Sequence, residues 1–158
     1  MRAIRRLRDR RNQSGAAAVE FALVLLPMLY LVFGLIQYGF YFYSMQSGSA
    51  AVNHALRRIA VGNCTTTSQV QSLLYSDLGA ATTASSASGV TTTVTYMKAD
   101  GSATTPAPGE IGGSVTLTAT FPVVNMHFPF IPIPNNGDVT RTNVARVEYT
   151  TSTAGTCS

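Results

Sequence analysis

A predominantly apolar run of 23 residues, Phe21 to Tyr43, constrains this chain more than any other feature of its sequence. As a helix it spans about 35 Å, slightly more than the roughly 30 Å hydrocarbon core of a bilayer. The run closes with a cluster of tyrosine and phenylalanine residues, as at a membrane interface. Pro27 lies inside the run and predicts a kink or a looser turn, because it removes one helical N–H donor. We therefore predict a transmembrane helix over about residues 21–43.

Positive charge is concentrated in front of this run. Residues 1–15 contain six arginines and one aspartate, a net charge of +5, whereas the whole chain carries +4. The rest of the protein is therefore nearly neutral. A basic tail can bind nucleic acid, but beside an apolar span it indicates an N-terminus held in the cytoplasm. We expect a membrane anchor with its C-terminal domain outside the cytoplasm, and no nucleic-acid partner.

Glu20 stands alone near the start of the apolar helix. Between Asn12 and Leu56 it is the only Asp, Glu, Lys or Arg. A charged residue at the centre of a membrane helix costs about 2.5–3.5 kcal/mol on insertion scales, so such a residue is a functional-site hypothesis whose partner must be found. The simpler alternative is that Glu20 lies at the headgroup level and is solvated.

The N-terminal segment has three interpretations. It is an uncleaved anchor, a secretory signal peptide removed after the apolar run, or a leader removed after Gly15, before the helix. The second is disfavoured, because the apolar run is much longer than the h-region of a usual signal peptide.

At this junction a basic leader, a glycine, four apolar residues, a glutamate and a long apolar helix follow one another. This order resembles the class III signal of type IV prepilins and, more specifically, TadE-like minor pseudopilins of tight-adherence (Tad/Flp) pilus systems, over about residues 14–58. Two features depart from related pilins: Ala16 replaces a common phenylalanine of type IVa pilins, and the chain is much longer than a major Flp pilin. The resemblance is carried by Gly15-Ala16-Ala17-Ala18-Val19-Glu20-Phe21, Pro27, Phe33-Gly34 and Tyr38-Gly39.

The resemblance implies cleavage between Gly15 and Ala16 by a prepilin peptidase, with residues 1–15 as the leader peptide. Cleavage creates an α-amine on Ala16 that is largely cationic at neutral pH. The family assigns to Glu20 the pairing with this amine, in a neighbouring subunit or in its own chain, during assembly. The implied partners are the peptidase, other pilins or pseudopilins and the pilus assembly platform. The implied location is the bacterial inner membrane, with a periplasmic domain and subsequent incorporation in the pilus.

The helix is expected to continue beyond the membrane, over residues 16–61, with Gly62 as its stop signal. This continuation carries small residues at helical spacing, which permit close packing on the protein's own outer domain or on another subunit. The small residues are Ser44, Ser47, Gly48, Ala51 and Ala55.

Residues 62–158 are predicted to form a small outer domain. A short helix through Leu78, capped by Thr67 or Ser68, precedes three strand-like segments of alternating polarity. The expected fold is α+β and pilin-like, with a three- or four-stranded antiparallel sheet. The short helix buries Val70, Leu73, Leu74 and Leu78, and the strands cover Val90–Tyr96, Ile111–Phe121 and Val139–Thr150.

Two segments between these strands are predicted to be loops. Asp100-Gly101 and Pro106–Gly109 have the composition of hairpin loops. Closely spaced prolines exclude a regular central strand over residues 122–138. That stretch is expected to be an ordered loop that exposes apolar residues or turns them towards another subunit.

Cys64 and Cys157 are the only cysteines, and they bracket the predicted outer domain. Outside the cytoplasm, a disulfide between them is favoured. Free thiols and metal ligation are the alternatives, although two distant cysteines without neighbouring histidines make a poor zinc pattern.

The sequence nominates no catalytic set. His54 and His127 have no catalytic partner near them in the sequence, and the acidic residues are scattered. We find no phosphate-binding loop and no metal-ligand cluster. We therefore expect no enzyme, no cofactor, no metal and no small-molecule substrate. A different class of function is an uncleaved single-pass envelope protein whose outer domain binds a ligand or a surface.

Overall fold

The computed structural model describes residues 3–64, 66–104, 111–148 and 157, with the backbone alone for residues 3–14 and 104. It has the predicted α+β architecture of a long apolar helix, a short helix and an antiparallel sheet. The predicted loop at 106–109 and the end of the last predicted strand, Tyr149 and Thr150, lie outside the described residues. The elements are α1 Ala3–Ala60, α2 Thr67–Leu78, β1 Thr91–Met97, β2 Ala103–Thr104, β3 Ser114–Pro122 and β4 Asp138–Arg146.

The four strands form one antiparallel sheet in the order β2-β1-β3-β4. Side chains alternate across a strand, so one face of β3 carries apolar residues and the other carries threonines. On the threonine face, cross-strand hydroxyl pairs join β3 to β4, with Thr118 2.9 Å from Thr142 and Thr120 2.8 Å from Thr140. The buried face of β3 consists of Val115, Leu117, Ala119 and Phe121.

Two predicted strand boundaries are wrong. The second strand begins at Ser114 rather than Ile111, which is 56% exposed in a turn with Gly112 at φ +89°. The last strand ends at Arg146, although Val147 is buried and its N–H donates to the Gly113 carbonyl at 2.9 Å. In both places alternating polarity extends beyond the regular pairing of the strands.

Helix α2 begins with a capping box. The cap is Thr66, one residue before the predicted Thr67 or Ser68. The Gln69 N–H donates to the Thr66 hydroxyl at 3.4 Å, and the Thr66 N–H donates to the Gln69 side-chain oxygen at 3.2 Å. The predicted apolar face of the helix is confirmed as buried.

The loop between β1 and β2 is the hairpin turn predicted at Asp100-Gly101. The Ser102 hydroxyl and backbone N–H donate to the same Asp100 carboxylate oxygen at 2.6 and 2.8 Å, and Gly101 takes φ +84°. These hydrogen bonds, with Lys98 as a smaller cause, lower the pKa of the Asp100 carboxyl. The turn is therefore favoured above the usual carboxyl range and weakens as the pH falls through the lowered value.

The chain divides into two compact units. One comprises Met1–Ile36 with His127–Ile131, and the other comprises Gln37–Met126 with Pro132–Ser158. The core of the second unit lies between the end of α1, α2 and the buried face of the sheet. Its largest fully buried side chains include Ile59, Leu74, Leu117 and Phe121.

Within the second unit, three hydrogen bonds join α1 to β4 and to the residues after it. Arg141 Nε donates to the Met45 carbonyl at 3.2 Å, and Asn143 Nδ2 donates to Asn53 Oδ1 at 2.8 Å. The Glu148 N–H then donates to the Ala60 carbonyl at 3.0 Å, at the end of the helix. These contacts fix the helix along the edge strand.

The small residues predicted on α1 pack on the protein's own outer domain. Ser44, Gly48, Ala51 and Ala55 are buried there, and Ser47 is half-buried. At Gly48 the helix lies close against the ring of Phe121 in β3. A Cβ added to this glycine would meet the ring, with Cε1 only 2.8 Å away.

The predicted disulfide between Cys64 and Cys157 is present, with Cα atoms 5.0 Å apart and a sequence separation of 93. Cys64 lies four residues after the last residue of α1 and is 1% exposed. The bond therefore ties the C-terminal end of the chain to the base of the long helix.

Gly48→Ala is expected to lower the free energy of unfolding of the full chain in detergent micelles by about 1–3 kcal/mol. The added methyl group overpacks against the ring of Phe121, which is only 1% exposed. Denaturant titration followed by circular dichroism measures the change. Gly39→Ala is the matched control, because no atom lies within 4 Å of a Cβ at Gly39. Equal midpoints for the two variants would contradict the assigned packing.

Cys157→Ser is expected to lower the free energy of unfolding by about 2–5 kcal/mol, because it releases a long closed loop in the unfolded chain. Denaturation of the oxidised wild type, the reduced wild type and Cys157→Ser measures the loss. The reduced wild type should match the variant. A variant as stable as the oxidised protein contradicts a stabilising role for the bond.

Candidate membrane and assembly helix

The first part of α1 presents apolar side chains that the first unit leaves exposed. From residue 15 to residue 36 every residue is exposed except Leu25 and Gly34, which are half-buried. Leu23 is 72% exposed and Leu35 is 68% exposed. By length and composition α1 is long and apolar enough to cross a membrane, and none of its most apolar window is buried. A continuous apolar surface of this kind requires a lipid or protein environment, which supports the predicted transmembrane helix.

The last seven residues of the predicted 21–43 span include buried positions. Gln37 is 2% exposed and Tyr41 is 8% exposed. The Gln37 side chain donates to the Val124 carbonyl at 2.9 Å and accepts from the Met126 N–H at 2.9 Å. Both polar ends of this buried amide are therefore satisfied by one segment of backbone.

The stretch from Ala16 to Ile36, apolar in sequence apart from Glu20, is about 32 Å long as a helix and still matches the hydrocarbon core. The importance of Gln37 was not identified from the sequence. The only signal in the sequence was the presence of an amide within an otherwise apolar run. Its hydrogen-bond partners lie 87 and 89 residues away, so sequence spacing does not reveal them.

The Gly15–Glu20 junction lies on the exposed surface of the helix. Gly15, Ala16 and Glu20 are all exposed, and no atom lies within 4 Å of a Cβ built on Gly15. Ala16 and Glu20 are four residues apart in α1, so they share one helix face. Among the side chains that the structure describes, none forms an ion pair with Glu20. An α-amine at Ala16 would therefore lie one helical turn from an available carboxylate.

His54 has a partner that sequence spacing does not reveal. Its Nδ1 lies 2.7 Å from Asp77 Oδ2, which joins α1 to α2 across 23 residues of sequence. His54 and Asp77 border a shallow depression on the surface, and Ser47 borders it too. However, seven residues separate Ser47 from His54 on the helix, an axial distance of about 10.5 Å. This spacing does not bring the serine hydroxyl to the imidazole, and we interpret the pair as a surface bridge between helices.

The remaining predicted site residues are the cysteines, which are joined in the disulfide. Among the residues that the structure describes, no group of three or more His, Cys, Asp or Glu side chains is arranged to hold a metal ion. The exposed part of α1, which carries Glu20 and the apolar surface, is the candidate functional surface.

Comparison with known protein families finds a match over the long helix. Residues 15–57 match a family model described as TadE-like protein. The matched segment begins at Gly15 and covers most of α1, which confirms the predicted TadE-like resemblance over the helix and links the chain to the Tad pilus system. No curated protein sequence matches the chain significantly. No solved structure matches it either.

Proposed function

We propose that this chain, TadE-like over its long helix, is a minor pseudopilin that takes part in assembly of a Tad/Flp-type pilus or a related secretion machine. A prepilin peptidase removes residues 1–15 from the membrane-inserted precursor, and the mature subunit begins at Ala16. The observation that carries the proposal is the coincidence of three features at one place. The family match begins at Gly15, the basic segment gives way there to apolar residues, and Glu20 follows Ala16 by one helical turn with no ion pair to the side chains that the structure describes.

Leader cleavage provides a positive charge near the Glu20 carboxylate. A carboxylate without a partner in lipid is costly, and the arginines that precede it leave with the leader. The new α-amine of Ala16 restores a positive charge within reach of Glu20, in the same chain or in a neighbouring one. Pairing between chains sets the axial register of one subunit against the next.

The exposed surface of α1 provides the remaining assembly contacts. Large apolar side chains are exposed on the helix over residues 19–36, so lipid can be exchanged for the equivalent helices of neighbouring subunits. The outer domain stays folded during this exchange, because its core uses a different part of α1, from Gln37 to Ala60.

Gly15→Lys is expected to abolish leader removal, because the peptidase requires a residue without a side chain at the scissile bond. The protein should accumulate at the precursor mass in cells with an active prepilin peptidase. N-terminal sequencing and intact-mass measurement of protein from the native host give the result, with wild-type protein beginning at Ala16. Gln13→Lys adds the same charge two residues earlier and should be processed normally.

Wild-type protein that begins at Met1 in such cells contradicts the proposal. It favours the alternative of an uncleaved envelope protein whose outer domain binds a ligand or a surface.

Glu20→Gln is expected to leave membrane insertion intact or improved and to reduce piliation at least tenfold. The substitution keeps the side-chain shape but removes the charge that pairs with the Ala16 amine. Carbonate extraction measures insertion, and counts of pili by electron microscopy measure assembly. Leu23→Gln is the matched control, because it places the same amide at a neighbouring exposed position. Normal piliation by Glu20→Gln would remove the carboxylate from the mechanism.

A further inference from the structure

The proline-rich loop, residues 127–134, presents an apolar surface that pseudopilin assembly leaves unassigned. The loop contains no Asp, Glu, Lys or Arg. Phe130 is 88% exposed, the highest exposure among the large apolar residues of the part that the structure describes. Its φ of +67° is a left-handed conformation that bulky residues rarely adopt. A strained backbone that holds an aromatic ring outward is typical of functional segments.

The loop contacts the exposed part of α1 through aromatic rings. Phe128 stacks on Phe33, with ring centroids 4.8 Å apart and an angle of 19° between the planes. Phe130 meets Tyr30 edge to face, at 6.2 Å. An apolar recess lies between the loop and the helix and extends to Leu26. The loop and the helix therefore form one apolar surface.

The helix residues that the loop contacts lie within the span itself. Phe33 follows Phe21 by twelve residues, about 18 Å along the helix, and follows Gly15 by about 27 Å. Both lengths are shorter than the roughly 30 Å thickness of the hydrocarbon core. Whether the helix enters the hydrocarbon core at Gly15 or at Phe21, Phe33 lies inside that core. Phe128, which stacks on Phe33, lies at a similar depth.

The backbone of the loop has fewer polar groups to satisfy than most loops of its length. Irregular backbone enters a membrane only where its polar groups are satisfied or sheltered by protein. Three of the eight loop residues are prolines, which carry no N–H group to satisfy. The Ile131 N–H donates to the Phe128 carbonyl at 3.3 Å, and the Tyr38 hydroxyl donates to the Pro132 carbonyl at 2.9 Å.

We propose that the proline-rich loop inserts into the outer leaflet of the membrane beside α1, with the ring of Phe130 among the acyl chains. The partner is the phospholipid bilayer, and the loop acts as a second anchor for the outer domain. The absence of charge, the proline backbone and the depth of Phe33 favour lipid over the helix of a neighbouring chain. This inference goes beyond the proposed assembly role, since it requires the membrane span but neither leader cleavage nor a pilus.

The chain contains no tryptophan, so one introduced indole reports a single position. Full-length Phe130→Trp is reconstituted, in a Gly15→Lys background, into phosphatidylethanolamine and phosphatidylglycerol vesicles at low protein density. We expect blue-shifted emission, strong quenching by phospholipids brominated on their acyl chains and weak quenching by aqueous acrylamide. Two exposed positions serve as controls. Leu23→Trp in the span should respond in the same way, and Val144→Trp on β4 should be quenched by acrylamide alone.

Emission of Phe130→Trp that is quenched like that of Val144→Trp overturns the inference. Protection from acrylamide without quenching by brominated lipid also overturns it, and assigns the loop to another chain if protection increases with the protein-to-lipid ratio. Because the leader is retained in every sample, the outcome is independent of whether cleavage at Gly15 is confirmed.

Discussion

Apart from its ends and Pro27, which has no N–H, helix α1 satisfies its backbone hydrogen bonds within itself, and the rest of the structure depends on this property. A helix can therefore expose apolar side chains to lipid in one part and bury them in a protein core in another without changing its conformation. Residues 15–36 are exposed, whereas the face from Gln37 to Ala60 is covered by the sheet and α2. One continuous element thus carries the exposed apolar surface and also supplies the outer domain with part of its core.

Gln37 and Glu20 are both polar residues within or beside the apolar run, but their surroundings differ. Gln37 is buried, and its amide bonds to the backbone at Val124 and Met126. Glu20 is exposed and forms no ion pair with the side chains that the structure describes. The Gln37 amide is used within the fold, while the Glu20 carboxylate is exposed to whatever surrounds the helix. This difference gives Glu20, rather than Gln37, the proposed role in assembly.

Local sequence patterns predicted the elements of this fold but not the contacts between them. Alternation of threonine with apolar residues identified the strands, and the spacing of Val70, Leu73, Leu74 and Leu78 identified the buried face of α2. The cap at Thr66 differed by one residue, since three neighbouring threonines and a serine offer similar hydroxyl groups. The Gln37 bonds and the His54–Asp77 pair could not be predicted, because they join positions that only tertiary packing brings together. The disulfide could be predicted because the chain has only two cysteines.

The Cys64–Cys157 bond has a mechanical consequence. The hydrogen bonds that hold an edge strand can break one after another under force. Two residues joined by a disulfide separate only if a covalent bond breaks. Because Cys64 follows α1 by four residues, a pull on the helix reaches the cross-link directly. The bond encloses the whole sheet within a covalent ring, so force is carried by sulfur rather than by the last strand. A pull on the helix therefore cannot draw residue 157 away from residue 64 without breaking a covalent bond.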